Sequence, residues 1–204
     1  MKYTVKNNRY VVRSNKYVSE TMVDGFEDND LSEYSNTGGF STISARSSEG
    51  TYCLRADGGS GNKSTISRSG DGLDYYPERG DTIKFDIQFD TLSNPTTPAG
   101  TSFMFWFFHG SGSIGDDNYQ LEFKTNSGEI VLTKDTGSRF VLDSSSANYN
   151  ADSWMPVEID TDSSGMTATF GGATVSSSDT ELNSRGIGFF TAGGRGFWDD
   201  VRAI

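Results

Sequence analysis

Paired carboxylates are the first feature of this chain that could do chemistry. The run Glu158-Ile159-Asp160-Thr161-Asp162 sets acids at alternate positions, and retaining glycoside hydrolysis needs two carboxylates about 5–5.5 Å apart, one nucleophile and one acid/base. The same run reads as one arm of a hairpin in which Val157 and Ile159 face a core while Glu158 and Asp160 face water. Other catalytic sets are thinner. His109, the only histidine, precedes Gly110-Ser111-Gly112-Ser113, but no Gly-x-Ser-x-Gly elbow joins a strand to a helix. One histidine and one cysteine are too few for a zinc centre. Gly58-Gly59-Ser60-Gly61 lacks the lysine and helix of a phosphate loop and reads as a turn. These residues predict a protein that is not an enzyme.

Binding chemistry is better represented. Sugar rings stack on Trp or Tyr while Asp, Asn and backbone groups take their hydroxyls. Trp106, His109, Asp116, Asp117, Asn118 and Tyr119 are gathered by a loop between two strand-like segments, and Trp198 is a further candidate for the same site. Either tryptophan taken singly is more often core than site, so the loop over 110–118 carries the expectation, as binding residues favour loops on a rigid scaffold. A second candidate is Asp199. It shares its side of the C-terminal strand with Phe197 and Val201, which places its carboxylate on a buried face where it needs hydrogen-bond donors or a cation.

The elements that must position these residues are strands. Only 33% of residues are apolar, yet 13% are aromatic and 24 are glycine, so rings supply much of the buried area between many turns. Asp81 to Asp90 alternates Ile83, Phe85, Ile87 and Phe89 with Lys84, Asp86 and Gln88, the period of a strand with one wet face. Phe103 to Phe108 leaves no polar face and predicts a strand covered on both sides. Turns are legible at Asn126-Ser127-Gly128, which joins Tyr119–Phe123 to Ile130–Leu132, and at Asp162-Ser163-Ser164-Gly165. Twelve to fourteen short strands in all, with Gly186 to Thr191 and Phe197 to Ile204 as the last two, predict a two-sheet antiparallel sandwich over 23–204.

Charge separates the N-terminus from the rest. Residues 1–19 hold Lys2, Lys6, Arg9, Arg13 and Lys16 and no acid, on a chain whose net charge is −11, so the remainder carries −16. That balance excludes nucleic acid as a partner, since phosphate neutralisation needs clustered Lys and Arg on the body. Past residue 22 only four lysines stand against a large excess of Asp over Glu, a surface suited to concentrated salt. Residues 1–22 read as a basic N-terminal arm that is either disordered or ordered by adding a strand to something else, with a neighbouring acidic subunit and its own acidic body as equally cheap docking surfaces. No apolar run is long enough to insert in a membrane, and Met1 is followed by Lys2, Tyr3 and Thr4 where a signal peptide would be building its apolar segment.

Three stretches carry a family resemblance: Asp24-Gly25-Phe26-Glu27-Asp28-Asn29-Asp30-Leu31-Ser32-Glu33-Tyr34, then Trp154-Met155-Pro156-Val157-Glu158-Ile159-Asp160 with its turn at Gly165, then Gly188-Phe189-Phe190 followed by Phe197-Trp198-Asp199-Asp200-Val201-Arg202. In this order and spacing they resemble the concanavalin A-like (laminin G-like) jelly rolls. The resemblance implies an all-β sandwich from Asp24 to Ile204. It also implies a structural calcium ion between the first and last strands, with Asp199 as a ligand and Asp24, Gly25 or Glu27 supplying further oxygens. Hydrolases of this fold use a Glu, Asp, Glu run, and no second glutamate follows Glu158-Ile159-Asp160 at the required place, which argues against that activity here.

The function expected on these grounds is a non-catalytic glycan- or surface-binding module. With no signal peptide beside a fold that works outside cells, the expected location is a virion surface or the extracellular space. There the module serves host attachment, binds other virion subunits through its arm and forms a homo-oligomer. The alternatives are a purely structural virion protein without a small ligand, as in capsid decoration or a fibre, and a glycoside hydrolase.

Overall fold

A computed structural model describes residues 9–13, 16–36, 38–69, 75–90, 102–110 and 117–204. Fourteen strands and no helix occur among them: β1 (Arg9–Arg13), β2 (Lys16–Asp24), β3 (Ser35–Asn36), β4 (Phe40–Ile43), β5 (Cys53–Ser69), β6 (Thr82–Phe89), β7 (Ser102–Phe107), β8 (Asn118–Lys124), β9 (Glu129–Asp135), β10 (Arg139–Ser146), β11 (Met155–Asp162), β12 (Gly165–Phe170), β13 (Ala173–Ser177) and β14 (Gly186–Ala203). All the ladders joining them are antiparallel.

Two long strands make a sandwich from this set. β5 and β14, of 17 and 18 residues, far exceed the usual strand length. Through Gly186–Ala192, β14 lies between β5 and β7; from Gly196 onward it lies beside β6. The back sheet therefore runs β10-β9-β8-β7-β14-β5-β3, the front sheet β13-β12-β11-β6-β14-β5-β4. The bend between them falls where the ladder skips, Ala192 pairing with Lys63 and Gly194 with Gly58. Gly193 and Gly194 both take φ of 76°, a conformation that glycine adopts without steric cost. The sequence reading thus changes in two places: the glycines at 58–61 lie within β5, not in a turn, and the two last strands are one bent strand.

Rings fill the space between the sheets. Phe85 of the front sheet lies 4.5 Å from Phe105 of the back sheet, Phe89 lies 5.0 Å from Phe103, and Phe123 lies 4.9 Å from Phe170. Phe85, Ile87, Phe103, Phe105, Val157, Ile159 and Phe189 are all buried, as the alternation requires. Two outward-parity residues of β6 depart from it: Thr82 is buried with its hydroxyl on Asp160, and Gln88 is buried where Arg46 reaches over the outer face of the front sheet and donates to its Oε1 at 3.4 Å. The β11–β12 hairpin turns where its residues predict, with Asp162 Oδ1 accepting the N–H groups of Ser164 at 2.7 Å and Gly165 at 3.0 Å. A Cβ on Gly165 would lie 2.0 Å from the Ser177 carbonyl oxygen, so only glycine fits.

The N-terminal segment forms a two-stranded ribbon that meets the body at its end. β1 pairs with β2 from Arg9↔Glu20 to Arg13↔Lys16, and β2 then joins the body by pairing Thr21, Met22 and Asp24 with β14. Residues 1–8, 14 and 15 lie outside the described residues. The first body strand thus ends at Asp24; the segment after it is a loop, with Phe26 buried at a φ of 57°.

Candidate functional site

Alternation along β7 sends Phe103, Phe105 and Phe107 into the core and leaves Ser102, Met104 and Trp106 on the outer face of the back sheet. The register then sets Trp106 opposite Gln120 and Gln120 opposite Thr133, while Met104 lies opposite Glu122 and Phe190. The Trp106 ring is nearly parallel to His109 (5.3 Å, 9°) and to Phe190 (6.1 Å, 17°), so three rings form one row. Polar groups flank it. Thr133 donates to Gln120 Oε1 at 3.3 Å, and Glu122 accepts from Ser102 and Arg139. Trp106 is 6% exposed, and its buried indole N–H has no hydrogen-bond partner among the described residues.

The other expected ligand residues divide. Asn118, buried, begins β8 on the same face as Gln120, and Asp117 is exposed, its carbonyl accepting the Gly110 N–H at 3.0 Å. Asp116 lies outside the described residues. Tyr119 points into the core, its ring against Phe107 at 5.7 Å and its hydroxyl bonded to Asp179. Trp198 is also core, packed against Phe189 at 5.6 Å and Phe103 at 6.0 Å. The structure therefore gathers Trp106, His109 and Asn118 and places Tyr119 and Trp198 elsewhere. Sequence reasoning did not find Gln120, Glu122, Thr133, Arg139 or Phe190. The polar side chains between Tyr119, Leu121 and Phe123 were the available signal, but which strand they neighbour is a matter of register.

The front sheet has an outer groove of about 620 Å3, crossed by the row Thr169, Glu158, Lys84 and Arg202 from β12, β11, β6 and β14. Glu20, Asp86 and Asp200 also line it. Lys84 pairs with Glu158 at 2.8 Å, and Asp160 accepts the Thr82 hydroxyl at 2.5 Å, so the acids of the Glu-Ile-Asp run face outward among other polar side chains. Arg202, buried, contacts Glu20 at 3.2 Å, Glu49 at 2.9 Å and Asp200.

Asp199 is 1% exposed and its oxygens are held by donors. Oδ2 accepts the N–H groups of Ser48 at 2.7 Å and Glu49 at 3.2 Å; Oδ1 accepts the Asp200 N–H at 2.8 Å. Glu27 accepts the N–H groups of Thr51 and Tyr52, both at under 3 Å. Asp24 accepts the Phe26 N–H at 2.7 Å and the Tyr34 hydroxyl at 2.6 Å. The carboxylates proposed for calcium, Asp24, Glu27 and Asp199 with neighbouring Gly25, are thus each engaged by separate donors. Among the described residues no three His, Cys, Asp or Glu side chains converge on a metal position, and the oxygens of these carboxylates are taken by N–H and hydroxyl donors. A chelator is expected to leave the melting temperature unchanged, while Asp199→Ala, which takes the acceptor from the Ser48, Glu49 and Asp200 N–H groups, lowers stability by about 2–3 kcal/mol. Loss of melting temperature with chelator in the wild type, abolished in Asp199→Ala, would contradict this.

Burial raises two acids near the same edge. Asp24 is pushed up to about 6 by burial, against the Tyr34 and Phe26 hydrogen bonds that lower it. Burial likewise raises Asp200 to about 6, although Arg202 pulls it down. Both hold protons more tightly folded than unfolded, so stability falls as pH rises from about 4 through about 6. Asp30 and Asp162, lowered by hydrogen bonds from Ser32 and Ser164, lose their contribution only as pH falls below about 4. The melting temperature is therefore expected to be highest near pH 4 and to fall as pH rises from there through about 6. A peak at neutral pH or above would contradict the burial of Asp24 and Asp200.

No family model matches the chain, and no curated protein does. Solved structures do. A carbohydrate-binding module, CBM66 of Bacillus subtilis, superposes with a TM-score of 0.61 at 10% identity, over 83% of this chain and 93% of that one. A Bacillus subtilis protein of unknown function with a galectin-like fold gives 0.64 at 12% identity, over 90% and 93%. The Ca2+-bound exoplasmic/lumenal domain of VIP36 gives 0.57 at 11% identity, over 84% and 82%. At these identities the likeness establishes the fold alone, a jelly-roll β-sandwich.

Proposed function

We propose that this chain is a non-catalytic glycan-binding module whose ligand is taken on the outer face of the back sheet, around Trp106. The observation that carries the reading is the near-parallel row Phe190, Trp106 and His109, with the polar set Gln120, Thr133, Glu122 and Arg139 on one sheet face and an indole N–H that meets no partner among the described residues. Rings offer a sugar its apolar face, while amide, carboxylate and guanidinium groups take its hydroxyls. The CBM66 and VIP36 structures support this, the second also in a form bound to Man3GlcNAc. Display on a particle or cell exterior, serving attachment to a host, extends the proposal.

A second reading, a structural surface protein without a small ligand, is favoured by the closure of this face: Gln120 is 4% exposed and Thr133 fully buried. A glycan array separates the two. Selective retention of a glycan by the wild type, with loss of at least tenfold in affinity for Trp106→Ala, supports the lectin reading. No retained glycan favours the structural one. Turnover of a polysaccharide, abolished by Glu158→Gln, would make the chain a hydrolase and overturn both.

A further inference from the structure

We propose that the β1–β2 ribbon of one chain docks in the front-sheet groove of a second copy, forming a two-fold dimer held mainly by charge. The ribbon is the part of the described fold with least support. β1 pairs with β2 alone among the described strands, and β2 joins the body only from Thr21 onward. A two-stranded hairpin by itself is marginally stable in water, so a ribbon of this length calls for a surface to lie on.

Charge identifies that surface. Residues 1–19 carry five cations and no acid, while the rest of the chain carries −16. The groove lies where the ribbon leaves the body, since Glu20 ends the β1–β2 pairing and also lines the groove. Its walls hold four carboxylates, Glu20, Asp86, Glu158 and Asp200, against two cations, Lys84 and Arg202. Both cations are already committed to carboxylates of the same face, Lys84 to Glu158 and Arg202 to Glu20, so the surplus is negative. Arg9, Arg13 and Lys16 match that surplus. With ribbon and groove adjoining on one molecule, a two-fold axis beside Glu20 lets each ribbon enter the other copy's groove, and the arrangement closes at two chains. This inference is independent of glycan binding, which uses the other sheet.

Sedimentation velocity of the full chain tests it. At about 100 μM the wild type should be a dimer in about 0.05 M salt and a monomer in about 1 M salt, where the screening length falls to about 3 Å. The variant Arg9→Glu/Arg13→Glu/Lys16→Glu should be a monomer in both, with the melting temperature of the wild type. The groove variant Glu158→Lys/Thr169→Lys should also be a monomer alone, and an equimolar mixture of the two variants should recover a dimer at low salt. A wild type that stays monomeric at low salt, as a ribbon folded on its own groove would give, overturns the proposal. So does a dimer unchanged by reversing the ribbon charges.

Discussion

Phe105→Ala is expected to lower the unfolding free energy by about 3–5 kcal/mol, the cost of removing a large ring from a core that cannot collapse around the gap. Phe105 is fully buried where the two sheets meet, 4.5 Å from Phe85 across the sandwich and 5.5 Å from Phe189 on the neighbouring strand. The loss should appear as a lower denaturant midpoint with an unchanged slope. Phe140 provides the contrast: it is 51% exposed on the edge strand β10, and its replacement by alanine should cost no more than about 0.5 kcal/mol. Equal losses at the two sites would mean that the sheets do not face each other through Phe105.

Arg202→Ala is expected to cost about 3–5 kcal/mol for a different reason, since it leaves the largely buried carboxylates of Glu20 and Asp200 without their cation. The guanidinium contacts Glu20, Glu49 and Asp200, joining β2, the loop after β4 and the end of β14. Its role separates charge from packing. Arg202→Met keeps much of the side-chain stem yet should lose nearly as much stability, whereas adding Glu20→Gln to Arg202→Met should recover part of the loss by removing one stranded charge. If Arg202→Met were as stable as the wild type, the ion pairs would be incidental.

Those contacts tie together segments 182 residues apart, from Glu20 to Arg202, and nothing local in the chain announces them. What was legible was periodic. Ile83, Phe85, Ile87 and Phe89 alternate cleanly, Asn126-Ser127-Gly128 and Asp162–Gly165 have the side chains that their turns need, and the aromatic run over 103–108 is buried on both faces. Glycine misled in the long strands. Gly58, Gly59 and Gly61 in β5, like Gly193 and Gly194 in β14, look like breaks, yet they let two paired strands bend together from one sheet into the other. The candidate site was half legible for a related reason. Trp106 and Tyr119 are close in sequence, but on neighbouring strands their parities differ, so Trp106 faces outward and Tyr119 inward. Asp199 shows a limit of another kind: its burial follows from alternation, but the Ser48 and Glu49 donors that hold it come from a loop some 150 residues away.

Backbone amide NMR during titration with a glycan retained on the array tests the central claim most directly. Binding on the outer face of the back sheet should shift the amides of Trp106, Gln120, Glu122, Thr133 and Gly188 and the indole N–H of Trp106, while the Lys84, Glu158 and Thr169 amides stay in place. Shifts confined to the front-sheet residues, or a Trp106 indole signal that does not move at saturation, would contradict the account.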